Sequence, residues 1–147
     1  MKKILLSALF TFLLFNSFAQ NNKEWTAIKT LLEKESATWR SGDVKGHAAC
    51  WHIRPYSRII VSLPDTVLDV PPALMINPPP DMTGEGGYSV NSNYKWNISG
   101  NNAWVSHDEL SVDKEGNRSY SYEIRLLEKI NGQWKLVGQS IHIFKKN

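Results

Sequence analysis

Apolar and polar residues alternate through the second half of the chain, and this alternation is its clearest structural signal. It is strongest over 88–98 and continues, with short interruptions, over 103–112, 118–129 and 133–144. A period of two is typical of antiparallel strands that bury one face of a sheet. The second half of the chain is therefore predicted to form a meander of four long strands.

The turn between the last two strands is marked by Asn131-Gly132. This dipeptide readily takes the positive φ angles of a type I′ turn, so 120–144 is predicted to be the longest hairpin and central to a curved sheet. A two-residue turn also fixes the register of the hairpin. The predicted pairs are Leu127 with Leu136, Arg125 with Gly138, Glu123 with Ser140, and Ser121 with His142.

The first half of the chain has a helical period instead. Over 22–40, the apolar side chains Trp25, Ile28, Leu32 and Trp39 recur at helical spacing among charged residues, which predicts an amphipathic helix. A short second helix is predicted over 43–52, with Gly42 ending the first helix and Asp43 capping the second. A strand rich in β-branched residues follows over 57–63.

The seven prolines of the chain all lie between Pro55 and Pro80. Proline removes backbone donors and blocks regular helix, so 64–87 is predicted to be an irregular excursion with one helical turn around 73–76. It is longer than a plain connection in a compact domain. Two interpretations are open: a lid over a pocket, or a variable surface loop.

The N-terminal segment 1–19 has the pattern of a secretory signal peptide: Lys2-Lys3, an apolar run, and a small-x-small cleavage site at 17–19. We expect a secreted or periplasmic protein whose single domain spans 20–147, with no membrane span in the mature chain. Without the two lysines, 15 basic residues stand against 14 acidic ones, and the absence of a Lys/Arg run argues against nucleic acid. Cys50 is the only cysteine, so no intramolecular disulfide can form.

The predicted register sorts the strand residues into two faces. One face is apolar, and its members are Trp104, Leu110, Val112, Tyr120, Tyr122, Ile124, Leu126, Val137, Ile141 and Ile143. The other face carries a polar cluster: His107, Glu109, Glu123, Arg125 and His142.

Two interpretations of this polar cluster are open. It is either a solvated outer face or polar dimer seam, or a group inside the domain in which Arg125 holds Glu123 ionised and a histidine acts as acid or base. The candidate catalytic residues are His107, Glu123 and His142. The spacing of these three residues matches no metal motif, and neither a metal nor a cofactor is predicted.

Four segments carry a resemblance to a known family: W-R-S-G-D at the first helix end, C-W closing the second helix, the strand N-N-A-W-V, and E-x-R-L-L-E-K-x-N-G-Q-W-K. Together they resemble the nuclear transport factor two-like superfamily, and more narrowly its secreted SnoaL-like members of unknown function. The resemblance implies an α+β fold in which a cone-shaped, strongly curved antiparallel sheet wraps around a long N-terminal helix. Relatives include isomerases, cyclases and binding domains, often homodimeric through the sheet.

Three functions follow from this resemblance, because the fold alone does not choose between them. The first is binding of a small apolar ligand inside the cone, with Trp51, Tyr56 and Arg125 as ligand contacts. The second is a protein-interaction module that uses the sheet face for a homodimer or for a foreign partner. The third is a lyase- or isomerase-type enzyme that uses the polar cluster. Whether the chain is an enzyme stays open at this stage.

Overall fold

The structure, a computed structural model, describes residues 2–145 and the side chains of residues 22–145. The predicted signal peptide, 1–19, falls outside the part of the chain whose side chains are described. The helices are α1 (Lys2–Ser41) and α2 (Val44–Ala48), and single 3₁₀ turns span Pro72–Met75 and Pro80–Met82. The strands are β1 (Ile59–Leu63), β2 (Thr66–Val70), β3 (Tyr88–Ser99), β4 (Asn102–Val112), β5 (Arg118–Ile130) and β6 (Gln133–Phe144).

The six strands form one sheet in the order β2-β1-β6-β5-β4-β3. The predicted α+β fold, with a curved sheet against an N-terminal helix, is confirmed. All neighbouring strands are antiparallel except β1 and β6, which run parallel. Through this parallel pair, β1 adds to the meander beside its last strand, β6. The alternating pattern of the later strands does not predict this pairing.

The junction between the two helices forms as the sequence predicts. Gly42 has a φ of 73°, which a left-handed helix end requires, and the side chain of Asp43 accepts a hydrogen bond from the backbone of Gly46. The Pro-rich segment 64–87 is more regular than expected. It contains β2, paired antiparallel with β1, and the 3₁₀ turn at Pro72–Met75 where one helical turn was predicted.

The core lies between α1 and the inner face of the sheet. Ile28 and Leu32 of α1 are buried against side chains of β4, β5 and β6, and among them Val105 and Leu136 have no exposed surface. The periods of the helix and of the strands explain this packing. The helical period gives α1 one apolar stripe, the strand period gives the sheet one apolar face, and the two surfaces pack against each other. No helix in the described part of the chain is both long and apolar enough to cross a membrane.

A β-bulge in β6 changes the predicted register of the main hairpin. Leu127 pairs with Leu136 as predicted, but Leu126 pairs with Gly138, so Val137 is an extra residue in its strand. Beyond the bulge the predicted register is wrong by one position. Arg125 faces Gln139, Glu123 faces Ile141, Tyr122 faces His142, and Ser121 faces Ile143.

The bulge decides which side chains of β6 face the interior. Ile141 and Ile143, predicted to share the apolar face with Trp104, instead share the inner face with Glu123 and Arg125, and His142, predicted for the polar face, lies on the outer face. The pairing of β4 with β5 has no such shift, so His107 lies opposite Glu123 and Glu109 opposite Ser121 as predicted. The apolar face that includes Trp104 is the outer face, and most of the polar cluster is buried inside.

Candidate functional site

A cavity of about 300 Å³ lies between α1, the inner face of the sheet and the Pro-rich segment. One side of the cavity is apolar, with Val61 on β1, Met75 on the 3₁₀ turn, and Ile141 and Ile143 on β6. The adjoining side carries ionisable side chains of α1, β4 and β5, and the two sides meet where β6 pairs with β5. A cleft or cavity with an apolar wall and a few convergent polar groups is the usual form of a small-molecule site.

Arg125 stands at the centre of the ionisable side and is only 5% exposed. Its guanidinium forms an ion pair with Glu123 and lies 3.5 Å from a carboxylate oxygen of Glu35 on α1. It also donates to the side-chain oxygen of Gln139, which the bulge brings to this face. Ser121 donates a hydrogen bond of 2.9 Å to Glu123. Burial disfavours the charge of Arg125, but Glu123 and Glu35 outweigh it and raise the pKa of the guanidinium.

Glu35 extends this network to the second helix and the Pro-rich segment. Its Oε1 lies 3.0 Å from Nε2 of His47, whose Nδ1 lies 2.8 Å from the carbonyl oxygen of Met75. Both ring nitrogens thus lie beside oxygen atoms, one on α1 and one on the Pro-rich segment. Burial alone would raise the pKa of Glu35, but the charge of Arg125 and the hydrogen bond from His47 hold it below its ordinary value.

Glu109 is a second buried carboxylate on this side, 8% exposed. Its Oε1 accepts a hydrogen bond of 3.1 Å from Arg40 of α1, which also donates to Ser111 at 2.6 Å. Among the described residues, its Oε2 has no hydrogen-bond partner. Burial and the nearby charge of Glu123 raise the pKa of Glu109 to about 7. A carboxyl group with this pKa can hold or release a proton at neutral pH.

The candidate catalytic residues separate into two locations. His107 and Glu123 are buried on the inner face, with His107 Nε2 3.7 Å from Glu123 Oε2. Burial, followed by the charge of Arg125, lowers the pKa of His107, so its ring is neutral at neutral pH. Of the two, Glu123 lines the cavity and His107 does not. His142 lies on the outer face, where its ring is 2.9 Å from the hydroxyl of Ser140.

The predicted ligand contacts also differ in location. Arg125 lines the cavity, whereas Trp51 and Tyr56 do not. Trp51 is a buried core residue, and its ring centroid lies 6.2 Å from that of His47. Tyr56 is 66% exposed and donates to Glu128 on the outside of the domain.

Four ionisable cavity residues on α1, α2 and β4 were not among the sequence candidates: Glu35, Arg40, His47 and Glu109. Glu109 had been placed on the polar face of the sheet but was not singled out. The other three lie on the two helices, and their inward direction depends on how α1 crosses the sheet. Within the described residues, no group of three or more His, Cys, Asp or Glu side chains could hold a metal ion.

Comparison with known proteins supports the fold and leaves the chemistry open. No protein-family model matches the chain, and no curated protein matches it. Among solved structures, an NTF2-like protein with a cystatin-like fold from Novosphingobium aromaticivorans is similar, with a TM-score of 0.67 and 11% identity, over 90% of each chain. A protein of unknown function with a cystatin-like fold from Nostoc punctiforme has a TM-score of 0.65 and 18% identity, over 82% of this chain and 91% of that chain.

A third similar structure, from Xanthomonas campestris, is described as a putative calcium/calmodulin dependent protein kinase II association domain. Its TM-score is 0.60 at 13% identity, over 82% of this chain and 87% of that chain. At these identities the similarity concerns the fold alone. The chain has the NTF2-like, cystatin-like fold, as its resemblance to the nuclear transport factor two-like superfamily predicts.

Proposed function

We propose that the protein binds a small, largely apolar molecule in the cavity between α1 and the sheet. The observation that carries this proposal is the cavity of about 300 Å³, apolar on one side and ionisable on the other. Burying charged groups around an empty space is costly unless they serve structure or a ligand. The Pro-rich segment contributes Met75, Met82 and Glu85 to the lining, which supports the interpretation of this segment as a lid.

The proposal is tested with N-phenylnaphthylamine, an uncharged probe whose fluorescence rises in apolar surroundings. We expect the probe to bind wild-type protein and to lose most of its affinity in Val61→Trp, where an indole fills the cavity. Ile60→Trp is the matched control, because Ile60 is the neighbouring residue on β1 and does not line the cavity. Absence of binding, or equal binding by Val61→Trp and wild type, would contradict the proposal.

We also propose that binding takes place after export. The support is the basic, apolar and small-residue pattern of 1–19, which is typical of a cleaved signal peptide. Mass spectrometry of the protein isolated from its native host should find a mature N-terminus near Gln20. Recovery of the intact N-terminus in the cytosol would contradict export.

Homodimer formation is a second candidate function, and the outer surface of the sheet favours it. Six apolar side chains on β3, β4 and β5 are each at least 41% exposed there, and we call this surface the outer apolar face: Tyr88, Val90, Trp104, Tyr122, Ile124 and Leu126. Apolar patches of this kind on soluble domains usually mark an interaction surface. We propose that a second copy of this chain covers it, in keeping with the association domain among the structural relatives.

Light scattering tests the dimer at roughly tens of micromolar protein, where a standard-size interface stays associated. Wild type should give the mass of two chains, and Ile124→Lys the mass of one, because a charge is buried at the centre of the outer apolar face. Val67→Lys places the same charge on β2, outside the outer apolar face, and should remain dimeric. A wild-type monomer would rule out the dimer.

A further inference from the structure

Each charged side chain on the ionisable side of the cavity already has a partner of opposite charge. Glu35 and Glu123 share Arg125, and Glu109 pairs with Arg40. A ligand carboxylate entering the cavity would lose its hydration and meet three carboxylates that already share two guanidinium groups. An ammonium group would also lose its hydration, and it has no lone pair with which to accept a hydrogen bond from Arg40 or Arg125.

Several polar atoms of the same side nevertheless lack hydrogen-bond partners among the described residues. Apart from Oε2 of Glu123, which lies in the ion pair with Arg125, they are Oε2 of Glu109, an acceptor, and Nε of Arg40 and of Arg125, both donors. Glu109 is more than nine-tenths buried. Its side chain and those of Arg40 and Arg125 line the cavity. Unsatisfied buried polar atoms are costly, so a ligand that pairs with them gains affinity from each contact.

We infer that the cavity takes an uncharged ligand with an apolar body and a head group that donates a hydrogen bond to Glu109 and accepts one from a neighbouring arginine. A hydroxyl group has both capacities. This inference rests on the proposed function and names the ligand class of the same cavity. The apolar body would lie against Val61, Ile141 and Ile143, on the side of the cavity that adjoins the ionisable groups.

The surroundings of Glu109 set the conditions for a test. The charged groups that act on it are Arg40 and Glu35 from α1, and Glu123 and Arg125 from β5. Because its pKa is about 7, the carboxylate is mostly ionised at about pH 8 and then accepts a strong hydrogen bond. Binding is therefore measured at that pH.

The probes are four naphthalenes substituted at the same ring carbon: naphthylmethanol, its methyl ether, naphthoate and naphthylmethylammonium. Calorimetry should rank the alcohol first, with each ion at least about tenfold weaker. The carboxylate meets an excess of negative charge, and the ammonium cannot accept a hydrogen bond from an arginine. The ether keeps the acceptor but lacks the donor, so we expect it to bind about tenfold more weakly than the alcohol. Val61→Trp should abolish binding of the alcohol, which locates it in the cavity.

A variant of Glu109 tests the contact from the side of the protein. In Glu109→Gln the acceptor is neutral, so the tenfold preference for alcohol over ether should fall to about twofold. Glu115→Gln removes an exposed carboxylate from the loop after β4 and should keep the full preference.

The inference is overturned if either ion binds in the cavity as tightly as the alcohol, or if the ether equals the alcohol. It is also overturned if the alcohol–ether preference is the same in Glu109→Gln as in wild type. In these cases the proposed function stands as long as N-phenylnaphthylamine occupies the cavity. Failure of N-phenylnaphthylamine and of all four naphthalenes to bind would overturn both.

Discussion

At the residue scale, Glu109 shows how burial changes the chemistry of one side chain. The sequence places it on the same face as Glu123 and Arg125, but the alternating pattern does not indicate which face is buried. The structure buries that face, and the pKa of Glu109 rises from 4.5 to about 7. Between these two values the folded protein binds more protons at this site than the unfolded chain does. The free energy of unfolding therefore falls, through this group, as the pH rises from 4.5 to about 7.

Glu109→Gln removes this pH dependence. The variant should gain stability relative to wild type on going from about pH 5 to about pH 8, by about 2–3 kcal/mol at most. Urea unfolding of both proteins at the two pH values measures the difference. Glu115→Gln, an exposed change, should show no such gain. If the stability difference between Glu109→Gln and wild type is the same at both pH values, burial does not raise the pKa of Glu109.

At the scale of elements, the main hairpin shows where sequence reasoning succeeds and where it ends. Asn131-Gly132 fixes the turn and hence the pairing of Leu127 with Leu136. The bulge at Val137 is invisible in the pattern, because Leu136 and Val137 are consecutive apolar residues and either can face the core. Register beyond that point depends on packing against α1, which no local pattern describes. Because the sequence does not show the bulge, it predicts His142 on the same face as His107 and Glu123.

Two single-residue deletions in β6 test the bulge. Deleting Val137 removes the extra residue, so Gln139, Ile141 and Ile143 keep their inward direction. Deleting Gln139 leaves the bulge in place and turns Ile141 and Ile143 outward. We expect the first variant to fold with reduced stability and the second to fail to fold, as measured by circular dichroism during thermal unfolding. Equal stability of the two deletions would contradict the assigned register.

The 3₁₀ turn of the Pro-rich segment is joined to the core by a side chain, since His47 lies between the carbonyl of Met75 and Glu35. His47→Phe keeps a ring beside Trp39 and removes both hydrogen bonds. Amide hydrogen exchange over 72–82 should become faster in this variant, because this connection is lost while the strands stay paired. His52→Phe, a change outside this connection, should leave this exchange unchanged. Unchanged exchange in His47→Phe would show that the segment is held by other contacts.

At the scale of the whole molecule, α1 provides the apolar side chains around which the sheet curves. The helical period in 22–40 predicted this well, because one apolar stripe has only one large surface to cover. Ile28, with no exposed surface, lies at the centre of the resulting core. The sequence does not predict where the cavity lies. Its location depends on the space that remains between α1, the sheet and the Pro-rich segment beyond that core.

Ile28→Ala should lower the free energy of unfolding by about 2–5 kcal/mol, the usual cost of removing a fully buried aliphatic side chain. Urea unfolding measures the change, and Thr30→Ala, at an exposed position of the same helix, should shift stability by less than about 0.5 kcal/mol. Similar small effects of both changes would show that α1 does not pack on the sheet.

The extra residue at Val137 also bears on how this chain is compared with others. An alignment that runs through β6 without a gap will match Gln139, Ile141 and His142 to residues on the wrong side of the sheet wherever a relative lacks the bulge. Residues of the cavity would then be aligned with surface residues of the relative, and surface residues with residues of its cavity. At identities of 11–18% such a one-position error is easily made. A gap placed opposite Val137 keeps the inward-facing residues of β6 aligned with inward-facing residues of the relative. Cavity residues of relatives should be compared in an alignment that contains this gap.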